Sequence, residues 1–242
     1  MNASAGNSLI EARGVIRILP GIVPVTLVHD IDLTIGNNEF VAITGPSGSG
    51  KSSLLYLLGL LDMPTAGEVL IRGRATTDME EDERAMTRLA TLGFVFQFHF
   101  LLPEFTALEN VMLPMRALGA LPPVAMRERA AMLLESFGLT DHIGKRPDQM
   151  SGGQRQRVAV ARSLANDPPV VLADEPTGSL DSQSSEQVFR ILRDLVEVRS
   201  KSVVAVTHDL DLAARMDRRM QLIDGGIVDG AQMAGASRAA PV

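Results

Sequence analysis

The stretch Gly45-Pro46-Ser47-Gly48-Ser49-Gly50-Lys51-Ser52-Ser53 decides the fold of this chain. It fits the pattern G-x-x-x-x-G-K-[ST] of a phosphate-binding loop. The apolar run at 40–44 before it predicts a buried strand, and the leucine-rich run at 53–61 after it predicts a buried helix. Strand, loop and helix in this order are the context that the motif requires. A chance glycine-rich turn is the alternative, and the two flanking elements disfavour it.

The chemistry of this phosphate loop (residues 45–53) suits an anion. Its glycines let the backbone bend and turn several N–H groups inward. The helix that follows directs its first unpaired N–H groups, with their partial positive charge, at the same place. Lys51 adds a full positive charge for terminal phosphates, and the Ser52 hydroxyl oxygen can bind Mg²⁺.

Composition limits the class of protein. The 242 residues suffice for one large domain or two small ones, and 45% hydrophobic with 21% charged residues indicate a globular chain. The net charge of -6 disfavours nucleic acid as a partner, because phosphate backbones select basic surfaces. The chain has no cysteine, which excludes disulfides and thiolate metal sites.

The sequence predicts a cytoplasmic protein. Residues 1–8 lack the basic region and apolar core of a signal peptide. No uninterrupted apolar run reaches the length of a membrane span. Any membrane role is therefore expected to depend on a partner, and we expect residues 1–8 and 231–242 to be disordered tails.

The N-terminal third predicts β-structure. Residues 9–18 and 25–35 are rich in β-branched residues and predict two strands joined by a turn at Pro20-Gly21. Residues 67–73 predict a short strand between glycines, and the charged run 79–89 predicts a surface helix.

An aromatic segment follows at residues 93–103. Phe94 and Phe96 fit a core strand, which Gln97 interrupts. The run from Phe98 to Leu102 is too apolar for an ordinary solvated loop. Two interpretations stay open: burial within this chain, or docking to a partner.

Residues 104–150 predict a helical insert. Apolar residues at i, i+3, i+4 and i+7 form one helix face, namely Ala130, Leu133, Leu134 and Phe137. Gly138 is a plausible C-cap.

The second half carries further polar groups. The stretch Ser151-Gly152-Gly153-Gln154 precedes a helix predicted at 155–165, and it is either a second anion-binding nest or an ordinary N-cap. The apolar run 170–173 predicts a parallel strand covered on both faces, and it ends in Asp174-Glu175.

Carboxylates at the end of such a strand lie where open α/β sheets bind ligands. Asp174 can hold Mg²⁺ through water, and Glu175 can orient or deprotonate an attacking water. The alternative is a solvated strand end.

The remaining elements continue the α/β alternation. A loop at 176–181 leads to a helix predicted at 186–198, and a buried strand at 202–207 ends at His208. This histidine is either structural or reaches a terminal phosphate. Asp224-Gly225-Gly226 predicts a hairpin turn.

Motifs in a defined order along the chain carry a family resemblance. They are Gly45 to Ser52, Gln97, Ser151 to Gln154, Val170 to Glu175, Ser179 to Asp181, and His208. They resemble the Walker A, Q-loop, signature, Walker B, D-loop and H-loop of an ATP-binding cassette (ABC) ATPase. The resemblance covers nearly the whole of residues 9–230.

The resemblance implies an α/β P-loop NTPase fold in a single domain at residues 9–230. A RecA-like parallel-sheet core would comprise residues 9–97 and 158–230, with an N-terminal antiparallel β subdomain. An α-helical subdomain would be inserted at about 98–157.

The resemblance also implies ATP and Mg²⁺ as ligands and a homodimer of cassettes in the ATP-bound state. Each ATP would lie between one chain's phosphate loop and the other chain's signature segment (Ser151–Gln154). Glu175 would be the catalytic carboxylate and His208 the γ-phosphate contact. The implied nucleotide-binding residues are Gly45, Pro46, Ser47, Gly48, Ser49, Gly50, Lys51, Ser52, Ser53, Gln97, Ser151, Gly152, Gly153, Gln154 and Asp181. The implied Mg²⁺ ligands are Ser52, Gln97 and Asp174.

Three segments resemble a narrower group, the ATPase subunit of Lol-type lipoprotein-releasing transporters. They are residues 97–103, 109–111 and 172–181. This resemblance implies an integral-membrane permease as partner, a peripheral location on the cytoplasmic face of the inner membrane, and no nucleic acid. MacB-type macrolide or peptide exporters and the FtsE-like regulatory cassette are related alternatives. A soluble ABC protein of DNA repair or translation is disfavoured by the acidic charge and by the lack of a basic arm.

Two residues depart from the family pattern. Met150 stands where the signature has leucine, a nearly volume-neutral change. Ile18 stands where the family has an aromatic residue that stacks on adenine, and residues 1–38 contain no aromatic residue of the Phe, Tyr or Trp type. The second departure puts selectivity for adenine in question.

Overall fold

The structure of the chain is a computed structural model that describes residues 8–228. The predicted tails, apart from Ser8, lie outside the described residues. The chain divides into two compact units, the first formed by residues up to 79 and from 206 onward, the second by residues 80–205.

Within residues 8–228 the chain forms ten strands and seven α-helices. In chain order these are β1 (Ile10–Leu19), β2 (Val25–Ile35), β3 (Phe40–Thr44), α1 (Lys51–Leu58), β4 (Ala66–Ile71), β5 (Arg74–Ala75), α2 (Glu81–Thr91), β6 (Leu92–Phe96), α3 (Ala107–Leu118), α4 (Pro123–Ser136), α5 (Gly152–Ser163), β7 (Val170–Asp174), α6 (Ser182–Glu197), β8 (Ser202–Val206), α7 (Leu210–Ala214), β9 (Arg218–Ile223) and β10 (Gly226–Val228).

An antiparallel sheet forms part of the first unit. Its strands follow the order β2-β1-β4-β5, and Ile10 of β1 pairs with Ile35 of β2 and Ile71 of β4. Along β2, Ile31 and Ile35 are buried, as the alternating pattern of a half-buried strand requires. The predicted antiparallel β subdomain is therefore confirmed.

The first unit also contains a parallel strand pair that leads into the phosphate loop. All residues of β3 are buried, and β3 runs parallel to β9 with Thr44 opposite Gln221. β9 and β10 form the predicted antiparallel hairpin. Helix α1 begins at Lys51 rather than Ser53 and ends at Leu58, and it buries leucines 54, 55, 57 and 58.

In the second unit, strands β8, β7 and β6 are neighbours in that order. All residues of β7 and β8 are buried, as expected of strands covered on both faces. β6 and β7 are parallel, with Phe96 opposite Asp174. Residues 97 and 175 therefore leave neighbouring strands at the same edge, which brings two predicted site residues close together.

The predicted helical insert is confirmed in the second unit, where the described residues between β6 and α5 contain helices and no strand. Thr106 and Glu109 form a capping box at the start of α3. The predicted apolar face is buried at Ala130, Leu133, Leu134 and Phe137. Gly138 follows the end of α4 with a φ of 67°, a conformation that favours glycine.

Two predicted helix starts are wrong for the same physical reason. Helix α5 begins at Gly152 rather than at residue 155, and α6 begins at Ser182 rather than at residue 186. The preceding residues, Ser151 and Asp181, cap the first turns with their side chains, so each helix starts directly after its cap. Helix α5 ends at Ser163 and runs without a break through the predicted subdomain boundary at 157.

Candidate functional site

The phosphate loop adopts a conformation that needs its glycines. Gly48 and Gly50 have φ values of 78° and 95°, in the left-handed region. A Cβ atom on Gly50 would collide with the carbonyl oxygen of Leu27, and one on Gly45 would collide with that of Leu222. The bend of the loop and its close packing on neighbouring backbone are therefore possible only with glycine.

Hydrogen-bond donors line the interior of this loop, and one of them carries a full positive charge. Lys51 Nζ donates to the carbonyl oxygens of Gly45 at 3.0 Å and Pro46 at 2.8 Å, which holds the ammonium group across the loop. The N-cap of α1, Gly50, has no side chain to pair the first N–H groups of the helix. Ser49 Oγ is buried and has no hydrogen-bond partner among the described residues. These groups fit a phosphate.

His208 lies beside the phosphate loop. The N–H of Thr207 donates to the carbonyl oxygen of Ile43 at 3.1 Å, which joins the segment after β8 to β3. His208 is exposed, and it lines a cavity of about 340 Å³ together with Thr44, Gly45, Pro46, Leu210, Arg219 and Gln221. His208 is therefore a surface residue at a cavity and not a core histidine. Arg219 is a cationic group at this cavity that the sequence did not indicate.

The second unit brings Gln97 and Glu175 together. Gln97 follows β6 and Glu175 follows β7, and the side chains of both pass close to Gly178: a Cβ there would lie 3.1 Å from Gln97 Nε2 and 3.5 Å from Glu175 Cβ. Asp174, at the end of β7, is almost buried. Glu175 has a φ of 46°, which is unusual for a residue with a side chain and occurs often at functional sites.

Two polar side chains that the sequence did not indicate hold the segments after β6 and β7 in place. Gln156 Nε2 donates to the carbonyl oxygens of Pro176 at 2.7 Å and Phe96 at 3.3 Å. Ser179 Oγ donates to the Gln97 carbonyl oxygen at 3.2 Å. Gln156 is buried on α5, where its spacing resembles that of an ordinary surface polar residue, so no sequence signal distinguishes it.

The signature segment is an N-cap, as one of the two interpretations predicted. Ser151 Oγ accepts from the Gln154 N–H at 3.3 Å, and Gln154 Oε1 accepts from the Ser151 N–H at 2.8 Å. The Ser151 hydroxyl keeps its own proton, which it can donate to an anion, as the other interpretation requires. The Nε2 atoms of Gln154 and His142 are 2.9 Å apart, a contact that the sequence did not indicate.

Asp181 caps α6. Its Oδ1 accepts from the Ser184 N–H at 2.8 Å and its Oδ2 from Ser184 Oγ at 2.9 Å. These two bonds, the backbone one first, hold the pKa of the Asp181 carboxyl below its ordinary value. Ser184 also packs closely on Gly153, so the signature segment and the loop at Asp181 share one contact.

The oxygen donors proposed for Mg²⁺ are chemically suitable. A hydroxyl, an amide oxygen and one carboxylate, from Ser52, Gln97 and Asp174, are hard ligands that fit a metal bound mainly through substrate phosphates and water. Over residues 8–228 there is no cluster of three or more His, Cys, Asp or Glu side chains that could hold an ion.

Three large apolar side chains in the run after Gln97 are exposed. Phe98, Phe100 and Leu102 have 69%, 61% and 43% of their surface accessible. The interpretation that this run is buried within the chain is therefore wrong. None of the helices in the described part of the chain is long and apolar enough to cross a membrane.

Comparisons with known proteins show the family to which the chain belongs. The sequence model of the ABC transporter family matches residues 28–178. The lipoprotein-releasing system ATP-binding protein LolD of Anaeromyxobacter dehalogenans (strain 2CP-C) is 50% identical over 220 residues, which is 90% of this chain and 92% of that protein. LolD 1 of Chlorobium chlorochromatii (strain CaD3) is 49% identical over 208 residues, 86% of this chain and 85% of that protein.

Two solved structures share the fold. Both are dimeric structures of the ATP-binding cassette MJ0796, one of them in a post-hydrolysis state with ADP and Pi. Each has a TM-score of 0.84 and covers 91% of this chain and 97% of the solved chain, at 42% and 43% identity. The chain therefore belongs to the ABC transporter family, as one of its ATP-hydrolysing cassettes.

Proposed function

We propose that this cassette is the ATPase subunit of a transporter that releases lipoproteins from the inner membrane towards the outer membrane. The observation that carries the proposal is the identity of 50% and 49% to two LolD proteins over most of each chain. In this role the chain binds no substrate lipoprotein itself and supplies the free energy of ATP hydrolysis to a membrane permease.

ATP binding begins at the phosphate loop. Backbone N–H groups of residues 45–53, Lys51 Nζ and the N-terminus of α1 bind the phosphates, which the glycine conformations and the unpartnered Ser49 hydroxyl support. Ser52, Gln97 and Asp174 hold Mg²⁺, directly or through water. When bound, this ion neutralises charge on the phosphate oxygens.

Hydrolysis requires a positioned water near the γ-phosphate. Glu175 orients this water and accepts its proton, and His208 donates a hydrogen bond to a γ-phosphate oxygen. The left-handed backbone of Glu175 supports this role, because it turns the chain sharply at the end of β7. The exposure of His208 beside Gly45 supports its role as a hydrogen-bond donor to the γ-phosphate.

The active form is a homodimer that clamps two ATP molecules. The signature segment of one chain closes on the nucleotide held by the other. Ser151 and the N-terminus of α5 donate hydrogen bonds to its phosphates, and Asp181 lies nearby. The dimeric MJ0796 structures support this arrangement. Since one chain already carries a complete phosphate loop, a second anion-binding segment is explained by a second copy.

The chain works on the cytoplasmic face of the inner membrane, held there by its permease. Its family is that of transporters, and the described residues contain no helix that could span the membrane, which supports a peripheral role beside a membrane partner. The exposed Phe98, Phe100 and Leu102 provide an apolar surface for a cytoplasmic segment of that partner.

Two substitutions test the ATPase assignments. Glu175→Gln keeps the size of the side chain but removes the base, so ATP binding persists while turnover stops. Lys51→Ala removes the charge that binds phosphate, so nucleotide binding itself weakens. Nucleotide binding and steady-state phosphate release measured on both variants separate the two roles. Normal hydrolysis by the Glu175→Gln protein would remove Glu175 from its role.

A reconstitution tests the transported substrate. The chain and its permease are placed in liposomes that hold a labelled acylated lipoprotein, and ATP is added on the cassette side. We expect ATP-dependent release of the lipoprotein to an acceptor, with the Glu175→Gln complex as the inactive control. Hydrolysis without release would overturn lipoprotein transport and leave the ATPase assignment intact.

A further inference from the structure

The aromatic loop (residues 98–102) is held in an unusual conformation. His99 and Phe100 have φ values of 43° and 46°, in the left-handed region that residues with side chains seldom adopt. Such a conformation persists only where the surroundings hold it. The loop nevertheless exposes Phe98 and Phe100 to solvent, so most of the restraint must come from contacts of its backbone.

Arg162 provides the first restraint. From helix α5, one guanidinium nitrogen donates to the Phe100 carbonyl oxygen at 2.6 Å and the other to the His99 carbonyl oxygen at 2.6 Å. Burial lowers the pKa of Arg162, but arginine stays protonated at neutral pH. Because the guanidinium is planar and rigid, binding both carbonyls at once fixes their relative orientation.

Asn110 provides the second restraint. This fully buried residue of α3 accepts from the Leu102 N–H at 2.8 Å through Oδ1 and donates to the Leu102 carbonyl oxygen at 3.1 Å through Nδ2. Both backbone groups of Leu102 are therefore bound to one side chain. A third contact comes from Phe96, whose ring meets that of Phe100 edge to face with centroids 5.3 Å apart.

We propose that Arg162 and Asn110 are positioning residues that preform the aromatic loop as a docking surface for the membrane permease, and that Arg162 links this surface to the signature helix α5. The inference rests on the proposed function, because it requires a membrane partner. Its physical basis is preorganisation: a loop that is already ordered loses little conformational entropy on binding. Since Arg162 and Ser151 belong to one continuous helix, a displacement of the signature segment also displaces the Phe98–Phe100 backbone.

The first test measures loop order in the isolated chain. Arg162→Lys keeps the charge but cannot bind both carbonyls with a planar fork. Arg157→Lys is the matched control, because Arg157 lies on the same helix and donates to the Phe137 carbonyl oxygen instead. We expect chymotrypsin to cleave at Phe98 or Phe100 about tenfold faster in Arg162→Lys than in the control, with unchanged far-UV circular dichroism. Equal cleavage rates would overturn the proposal.

The second test measures coupling. In the complete complex, the permease concentration for half-maximal stimulation of the ATPase is expected to rise about tenfold for Arg162→Lys, with the basal ATPase rate unchanged. Asn110→Asp, which removes the donor to the Leu102 carbonyl oxygen, should act in the same direction. Fast cleavage with normal stimulation in both variants would show that the two residues serve loop stability only, and would overturn the positioning role.

A third variant separates this inference from the proposed function. Replacement of both Phe98 and Phe100 by serine removes the docking surface and leaves the Arg162 contacts, which involve backbone atoms, in place. Loss of stimulation here, with normal stimulation of Arg162→Lys, would overturn the positioning role alone. Normal stimulation of the serine variant would instead show that the aromatic loop is not the docking surface.

Discussion

Two adjacent glycines in the signature segment are expected to respond in opposite ways to the same substitution. A Cβ atom on Gly153 would lie 2.6 Å from Ser184 Oγ and 2.9 Å from Ser184 Cβ, which is too close for either atom. A Cβ atom on Gly152 would meet only Leu180 Cδ2 at 3.6 Å, an ordinary van der Waals distance. Both residues lie in the first turn of α5.

The expected size of the effect is the difference in free energy of unfolding between Gly152→Ala and Gly153→Ala. Alanine in place of glycine stabilises a helix by up to about 1 kcal/mol, and this gain is common to both positions. Overpacking at Gly153 costs about 1–3 kcal/mol. Displacement of Ser184 also weakens the cap at Asp181, a contact of about 1 kcal/mol. Since the helix gain cancels, we expect Gly153→Ala to be about 1–4 kcal/mol less stable than Gly152→Ala, the upper value applying where the cap contact is lost completely.

Equilibrium urea unfolding of the isolated chain measures this difference, provided that both variants unfold with the same m-value. A further change, Ser184→Gly, removes both clashing atoms. Its effect on the free energy of unfolding should be more favourable in the Gly153→Ala background than in the wild-type background. Equal free energies of unfolding for Gly152→Ala and Gly153→Ala would refute the reasoning.

Two further predictions concern the helical part of the second unit. Thr106→Ala removes the hydroxyl that accepts from the Glu109 N–H, so the free energy of unfolding should fall by about 1 kcal/mol in urea titrations, whereas Thr106→Ser should retain it; equal losses in both variants would contradict the capping assignment. Burial, followed by the charge of Arg155, lowers the pKa of His99 below its usual 6.5. The unfolded chain therefore binds more protons at this residue than the folded chain. The contribution to stability is complete above about pH 6.5 and is lost as the pH falls from there through the lower pKa of the folded state. Urea midpoints measured across this range should decline more steeply for the wild type than for His99→Gln, and parallel declines would show that His99 is not responsible.

Local sequence patterns were enough for the elements and for the type of chemistry. The phosphate loop, its flanking strand and helix, and the apolar run that ends at Asp174-Glu175 each place their functional groups within a few residues of one element. Such short-range patterns reflect steric and hydrogen-bonding preferences that do not depend on distant residues. The strand, loop and helix around the phosphate-binding motif were predictable for this reason, whereas the ABC transporter family and its antiparallel β subdomain were implied by the resemblance of several motifs in their order along the chain.

The starts of α5 and α6 were predicted too late because each helix was begun at its apolar periodicity, although an N-cap at residues 151–154 was one of the two interpretations of that segment. In both cases the deciding contact is a side chain of Ser151 or Asp181 bound to a backbone N–H three residues later in the chain. For α5 the cap was visible in the sequence, since a serine followed three residues later by glutamine is a capping-box signal. The error therefore came from weighing helix periodicity above cap chemistry.

Other features depend on residues far apart in the chain. The burial of Gln156, the contact of Gly153 with Ser184, and the bonds from Arg162 to the aromatic loop join segments that no local pattern relates. The sequence by itself indicated the phosphate loop and the strand that ends in two carboxylates. Only the tertiary structure decided that Phe98 and Phe100 are exposed and how their backbone is held, because exposure and long-range hydrogen bonds follow from packing between elements rather than from the order of residues within one element.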